Sequence, residues 1–133
     1  MNSLTEIFGE PIHIVTRAQL INDGDLVDLM TLSPEVAAVC KQHFKYPIAV
    51  SRAVFDIMQK AVENKRWSND YAGIVHDMLW MCKARGRSVS ESKRYFTVII
   101  NGAGRTKFHN FELTVGPGDN AEPVITIMLP GED

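Results

Sequence analysis

The chain has 133 residues, 45% of them hydrophobic and 23% charged, with a formal net charge of −2. That is the composition of one ordinary globular domain, long enough to bury a core without disulfide or metal staples. No apolar run approaches the length needed to cross a bilayer, so a membrane-spanning role is not expected.

The opening stretch MNSLTEIFGEP lacks the basic region and apolar run of a signal peptide. The two cysteines, Cys40 and Cys82, fall in helical patterns rather than a spaced framework. Reduced thiols in a cytoplasmic protein are the expected state. Pro11–Val15 reads as extended. Thr16 then starts a short helix, with Gln19 completing a capping box, and Asn22-Asp23-Gly24 stops it. Leu26, Val27, Leu29 and Met30 form a brief extended run.

Ser33-Pro34-Glu35 is a helix start with an oxygen cap, a proline in the first turn and an acid suited to the helix dipole. That helix should end near His43. Phe44–Pro47 forces extended geometry, continued by Ile48-Ala49-Val50. Ser51 caps a third helix reaching about Asn64, with Val54, Ile57, Met58, Ala61 and Val62 on one stripe. The longest helix is expected from about Asn69 to Arg85, capped by Ser68 and stopped by Gly86. Its apolar face, widened by Ile74, Trp80 and Met81, predicts a central, mostly buried helix. Gly86–Ser92 reads as a loop.

Past that loop the period changes from 3.6 to 2. Lys93–Asn101, Thr106–Val115 and Pro123–Leu129 read as three strands, the first two joined through Gly102-Ala103-Gly104. Phe108 and Phe111 differ in parity, which requires a bulge near His109-Asn110 or a strand buried on both faces. The expectation is a single α+β domain over residues 1–133. Four amino-terminal helices would pack on a three-stranded antiparallel sheet. Such a sheet has two edges, one of which could pair across a twofold axis in a homodimer.

Charge is segregated along the chain. Residues 1–82 hold seven Lys/Arg and ten Asp/Glu, residues 83–107 seven Lys/Arg and one acid, and residues 108–133 five acids and no Lys or Arg. The basic stretch predicts a patch for phosphate or an acidic protein surface, made by Arg85, Arg87, Arg94, Arg105 and Lys107. Lys93, Arg94, Arg105 and Lys107 would face one another on paired strand ends. The alternative is a solvated rim that guards a sheet edge. Overall acidity argues against direct nucleic-acid binding.

Other residues carry less chemistry. His13, His43, His76 and His109 lack metal-ligand spacing, and the cysteines do not join them, so no metal or other cofactor is expected. Asp77, within the most apolar helix, should be partly buried, paired with an arginine such as Arg94 or Arg105. A hydrolase using Asp77 with His76 or His109 is the weaker reading, because no nucleophile accompanies them. Asp119, Asn120 and Glu122 in the Gly116–Glu122 loop suit an Asx-type turn better than a calcium loop. Trp67, in a polar connection, either folds back as an anchor or is offered to a partner.

Several of these pieces together resemble a family of small uncharacterised proteins encoded by bacteriophages, plasmids and their hosts. They are Asp25-Leu26-Val27-Asp28, the run from Phe44 to Val50 leading into Arg52-Ala53-Val54, and Asp77-Met78-Leu79-Trp80-Met81. Sharpest is the motif from Gly116 to Leu129, GPGDNAEPVITIML. The chain is compact at Asn64–Asp70, where that family has a longer acidic connection. The resemblance implies a genetic setting and brings no catalytic residues. In that setting the expected function is a non-enzymatic accessory protein of a mobile element. It would bind and inhibit a host protein, such as a component of an antiviral defence system. The alternative is a binder that sequesters a phosphate-bearing signalling nucleotide, with the five basic residues on the phosphates and the Gly116–Glu122 loop closing over them.

Overall fold

The caps written into the sequence set most of the helix starts. In a computed structural model, which describes residues 15–132, Thr16 and Gln19 form the reciprocal capping box at 3.1 and 2.9 Å. Helix α1 spans Arg17–Asp23 and ends on Gly24 in the left-handed conformation, φ 84°. Ser33 caps α2 (Pro34–His43) and Ser51 caps α3 (Arg52–Glu63). The long helix α4, Tyr71–Arg85, is capped by Asp70 rather than Ser68. An aspartate accepts the first-turn N–H and adds its charge to the positive end of the helix, so it outcompetes the serine two residues earlier. Apart from Val15, the expected extended run at Pro11–Val15 lies outside the described residues, as does His13.

The α+β class holds, with four helices among the described residues, but the expected three-stranded antiparallel sheet does not. The sheet has six strands in the order β1-β2-β6-β5-β4-β3 and is mixed. Its strands are β1 (Leu26–Asp28), β2 (Ile48–Ser51), β3 (Arg87–Ser90), β4 (Lys93–Ile99), β5 (Phe108–Pro117) and β6 (Pro123–Met128). Neighbours pair antiparallel except β2 and β6, which run parallel with Ile48 opposite Ile125 and Val50 opposite Ile127. The expected meander is the β4-β5-β6 portion. Two short amino-terminal extended runs join one side of it, and part of the expected Gly86–Ser92 loop joins the other. Strand β2 is buried at all four positions, as befits an apolar run with a strand on each side. Strand β3 is exposed at all four positions, so its sequence carries no apolar alternation to announce it.

One sheet face carries Phe96, Val98, Ile100, Phe111, Leu113, Ile125, Ile127, Ile48 and Val50, and α2, α3 and α4 close over it. Cys40 and Cys82 are buried in this core as free thiols. Burial pushes the Cys40 thiol up to about 11, which makes it a poor nucleophile. Strand β5 settles the parity of its phenylalanines. Its register with β4 is unbroken from Lys93–Thr114 to Ile99–Phe108, so no bulge occurs there. Phe111 is fully buried on the helical face, and Phe108, on the other, is 56% exposed. Burial on both faces is confined to Phe111, Glu112 and Leu113.

Helix α1 buries no residue and is held by polar ties. Arg17 reaches β6, donating to Thr126 Oγ1 at 2.7 Å and to the Ile125 carbonyl at 2.8 Å. Asp119 accepts the N–H groups of Arg17 at 2.7 Å and Ala18 at 3.0 Å. Asp119→Ala should therefore destabilise the protein by about 1 kcal/mol and speed amide exchange selectively over Arg17–Asp23. Unchanged exchange in that helix would contradict the capping role.

Candidate functional site

The opposite sheet face and its outer margin hold exposed apolar side chains, Ile99 and Phe108 among them. Just past β4, the Ile100 N–H donates to the Lys107 carbonyl across the hairpin. Alternation then turns the backbone groups of Val98 and Phe96 toward β5 and those of Thr97 and Ile99 outward. Strand β3 covers β4 only as far as Tyr95, which pairs with Arg87. Thr97 and Ile99 lie beyond it, so this stretch of the sheet margin has no neighbouring strand among the described residues.

Beside this margin runs a groove in two connected parts. The larger, ≈ 750 Å³, is lined by Trp80, Arg85, Arg87, Tyr95, Asn110 and Pro130 among others. The smaller, ≈ 330 Å³, is lined by Asp77, Trp80, Met81, Thr97, Ile99 and Phe108. Trp80, Met81 and Thr97 belong to both. Trp80 is 56% exposed and Ile99 51%. Together with Phe108, they place three large apolar side chains in water around the smaller part. Arg87 sits 6.0 Å from the Tyr95 ring and Lys107 5.5 Å from the Phe108 ring, so a cation stands at each end.

The expected basic patch is divided rather than gathered. Arg85 and Arg87 line the groove at its β3 end. Arg105 and Lys107 lie past the other end of β4, because the hairpin turn carries them the length of the strand from Lys93 and Arg94. Lys93 faces Thr114 and Arg94 faces Leu113, not the other two cations. Arg94 turns to the helical side, where it donates to the Gly86 carbonyl at 2.8 Å and ties the end of α4 to β4. The loop Gly116–Glu122 lines neither part of the groove. Asp119 caps α1, and Glu122 folds back to accept the Asn120 N–H at 3.0 Å. No common site for a nucleotide phosphate is therefore assembled from these residues.

Trp67 folds back, with its ring against the Gly102 turn, and stays 48% exposed. Asn64 and Asn69 secure the same turn, donating to the carbonyls of Gly102 and Asn101 at 3.1 and 2.7 Å. Asp77 is exposed rather than partly buried, and makes no ion pair among the described residues. No group of three or more potential metal ligands occurs among the described residues.

His76 instead meets His43, with Nδ1 and Nε2 3.0 Å apart, and Lys83 Nζ lies 3.4 Å from His43 Nδ1. An ammonium can only donate, so His43 Nδ1 accepts and its Nε2–H donates to His76. Burial, then Lys83 and then His76 lower the pKa of His43 from its ordinary 6.5. Its contribution to stability is thus present above pH 6.5 and lost as pH falls through the lower folded value. A ring titration followed by NMR should place the His43 midpoint below that of an exposed histidine; a midpoint at or above 6.5 would contradict this arrangement.

Trp80 and Phe108, with Tyr95, are aromatics that the sequence offers for a stacking pocket but that read mostly as core, whereas Ile99 carries no such signal. Trp80 has His76, Asp77, Lys83 and Ala84 at its helical neighbour positions, a polar surround that marks the outer face of α4. The run Val98-Ile99-Ile100 alternates faces in a strand, which must send its middle residue outward.

Comparison with known proteins gives one bearing. A family model described as a family of unknown function, DUF6573, matches residues 1–133. No curated protein and no solved structure matches the chain.

Proposed function

We propose, for a chain that belongs to this family of unknown function over its whole length, that it works by binding another protein. It is an accessory protein of a phage, plasmid or similar element, and it inhibits a component of the host, with antiviral defence the favoured target. The genetic setting rests on the resemblance of the Gly116–Leu129 motif to phage- and plasmid-encoded proteins.

The observation that carries the binding role is the groove, where Trp80, Ile99 and Phe108 are each at least half exposed. Large aromatic side chains held in water are costly unless a partner covers them, and they supply most of the energy when one does. The arginines Arg85 and Arg87 flank that surface, and arginine is the cation best suited to interfaces.

Expression of the wild-type protein in a defended host should raise phage or plasmid survival. A Trp80→Ala/Phe108→Ala variant should not, although its circular dichroism and melting temperature stay close to wild type. Survival unaffected by the wild-type protein in every defended host tested would refute inhibition. Equal potency of the double variant would remove the groove from the account.

A further inference from the structure

We infer that the outer margin of β4 takes an added strand: an extended segment of the partner, apolar at its centre and acidic at both ends. This rests on the protein-binding reading above and names the partner's chemistry. Three observations converge on it. Thr97 and Ile99 turn their backbone N–H and C=O groups away from β5, past the point where β3 stops. Such groups are a template for main-chain pairing with another chain.

A side-chain pocket lies beside that margin, walled by Trp80 and Met81 from α4 and by Ile99 and Phe108 from the sheet, and continues into the larger part of the groove. Alternate side chains of an incoming strand would enter it. Finally, the ends of the groove are cationic, with exposed Arg85 and Arg87 at one and exposed Lys107 at the other, and Asp77 is the lone acid lining it. Arg105 adds to the charge beyond Lys107.

The same charges disfavour a second copy of this chain as the occupant. Twofold pairing of β4 with β4 about Val98 would bring Arg85 and Arg87 of one copy against Arg105 and Lys107 of the other. Like charges facing across an interface select against that pairing. An acidic segment meets attraction at both ends.

The test uses a fluorescein-labelled, strand-length peptide with valine and isoleucine at its centre and aspartates at both ends. It should bind saturably and shift the Thr97 and Ile99 amide resonances. Affinity should fall by about tenfold or more when lysines replace the aspartates, and likewise with Arg85→Glu/Arg87→Glu. It should also fall when alternate peptide amides are N-methylated, which removes main-chain donors and leaves the side chains in place. Ile99→Pro should abolish binding while preserving the β5 ladder, since the lost N–H points outward. If that variant misfolds, the N-methylated peptide on the wild-type protein decides.

Absence of binding, equal binding of the lysine-ended peptide, or indifference to N-methylation would overturn the inference. So would sedimentation showing a dimer that Ile99→Pro dissolves, because the margin would then belong to a second copy. Host inhibition that persists in a folded Ile99→Pro protein unable to bind the peptide would refute the added strand alone. Failure of inhibition by a wild-type protein that binds the peptide would refute the proposed function alone.

Discussion

Phe111→Ala should cost the fold about 3–5 kcal/mol, the usual range for removing a fully buried aromatic ring. Phe111 is 0% exposed and packs edge-on against Phe96, with ring centroids 5.8 Å apart. Phe108→Ala, three residues earlier in the same strand, should shift stability by only about 0.5 kcal/mol or less. The second substitution removes groove surface rather than core. Urea denaturation of the two variants measures both numbers. Similar losses at the two sites would mean that β5 does not divide its phenylalanines between a closed and an open face. The contrast also tests the proposed site, because Phe108→Ala should weaken partner binding without a stability excuse.

Lys93→Met is expected to have the second largest effect. Glu112 lies in the middle of β5 with its side chain 1% exposed, and its Oε2 is 3.6 Å from Lys93 Nζ. That oxygen accepts no hydrogen bond among the described residues. The lysine is itself 29% exposed, so water screens part of the attraction. Removing it still leaves a carboxylate enclosed without a countercharge, at a cost of about 1–3 kcal/mol. Glu112→Leu combined with Lys93→Met should recover most of that loss, since an apolar pair needs no compensation. A double variant as unstable as Lys93→Met alone would show that the loss comes from packing of the lysine stem. Chemical denaturation of the three proteins separates the outcomes.

What could be read before the structure depended on how local the signal was. Helix starts were legible because a cap, the backbone donor it satisfies and the first turn lie within four residues, as at Thr16, Ser33 and Ser51. Strands β4, β5 and β6 were legible because each is a run of six or more residues rich in β-branched and aromatic side chains. The remaining sheet was not. Strand β2 has four residues, and its parallel neighbour β6 lies over seventy positions later, a pairing that no local period records. Strand β3 is exposed throughout, with Val89 its one apolar residue, and only its register with Lys93–Tyr95 makes it a strand.

The candidate site was legible in part. Arg85 and Arg87 were named from charge, and they do flank the groove. Arg94, Arg105 and Lys107 were grouped with them because a hairpin was expected to fold basic ends together, yet strand length keeps those ends apart. Asp119, Asn120 and Glu122 shape a turn that serves α1. The aromatics of the groove were legible as a possible stacking set, but Trp80 in an otherwise apolar helix reads by default as core.

The position of β6 also bears on how the protein is made. Strand β6 separates β2 from β5, so among the described residues it links the sheet's early and late halves. A ribosome delivers β1 and β2 long before Pro123–Met128 exists, and until then β2 has one partner and an open flank. The two halves therefore unite only after nearly all of the chain has been synthesised. A nascent chain arrested before Pro123 would present two unfinished sheet margins at once, the state most prone to aggregate.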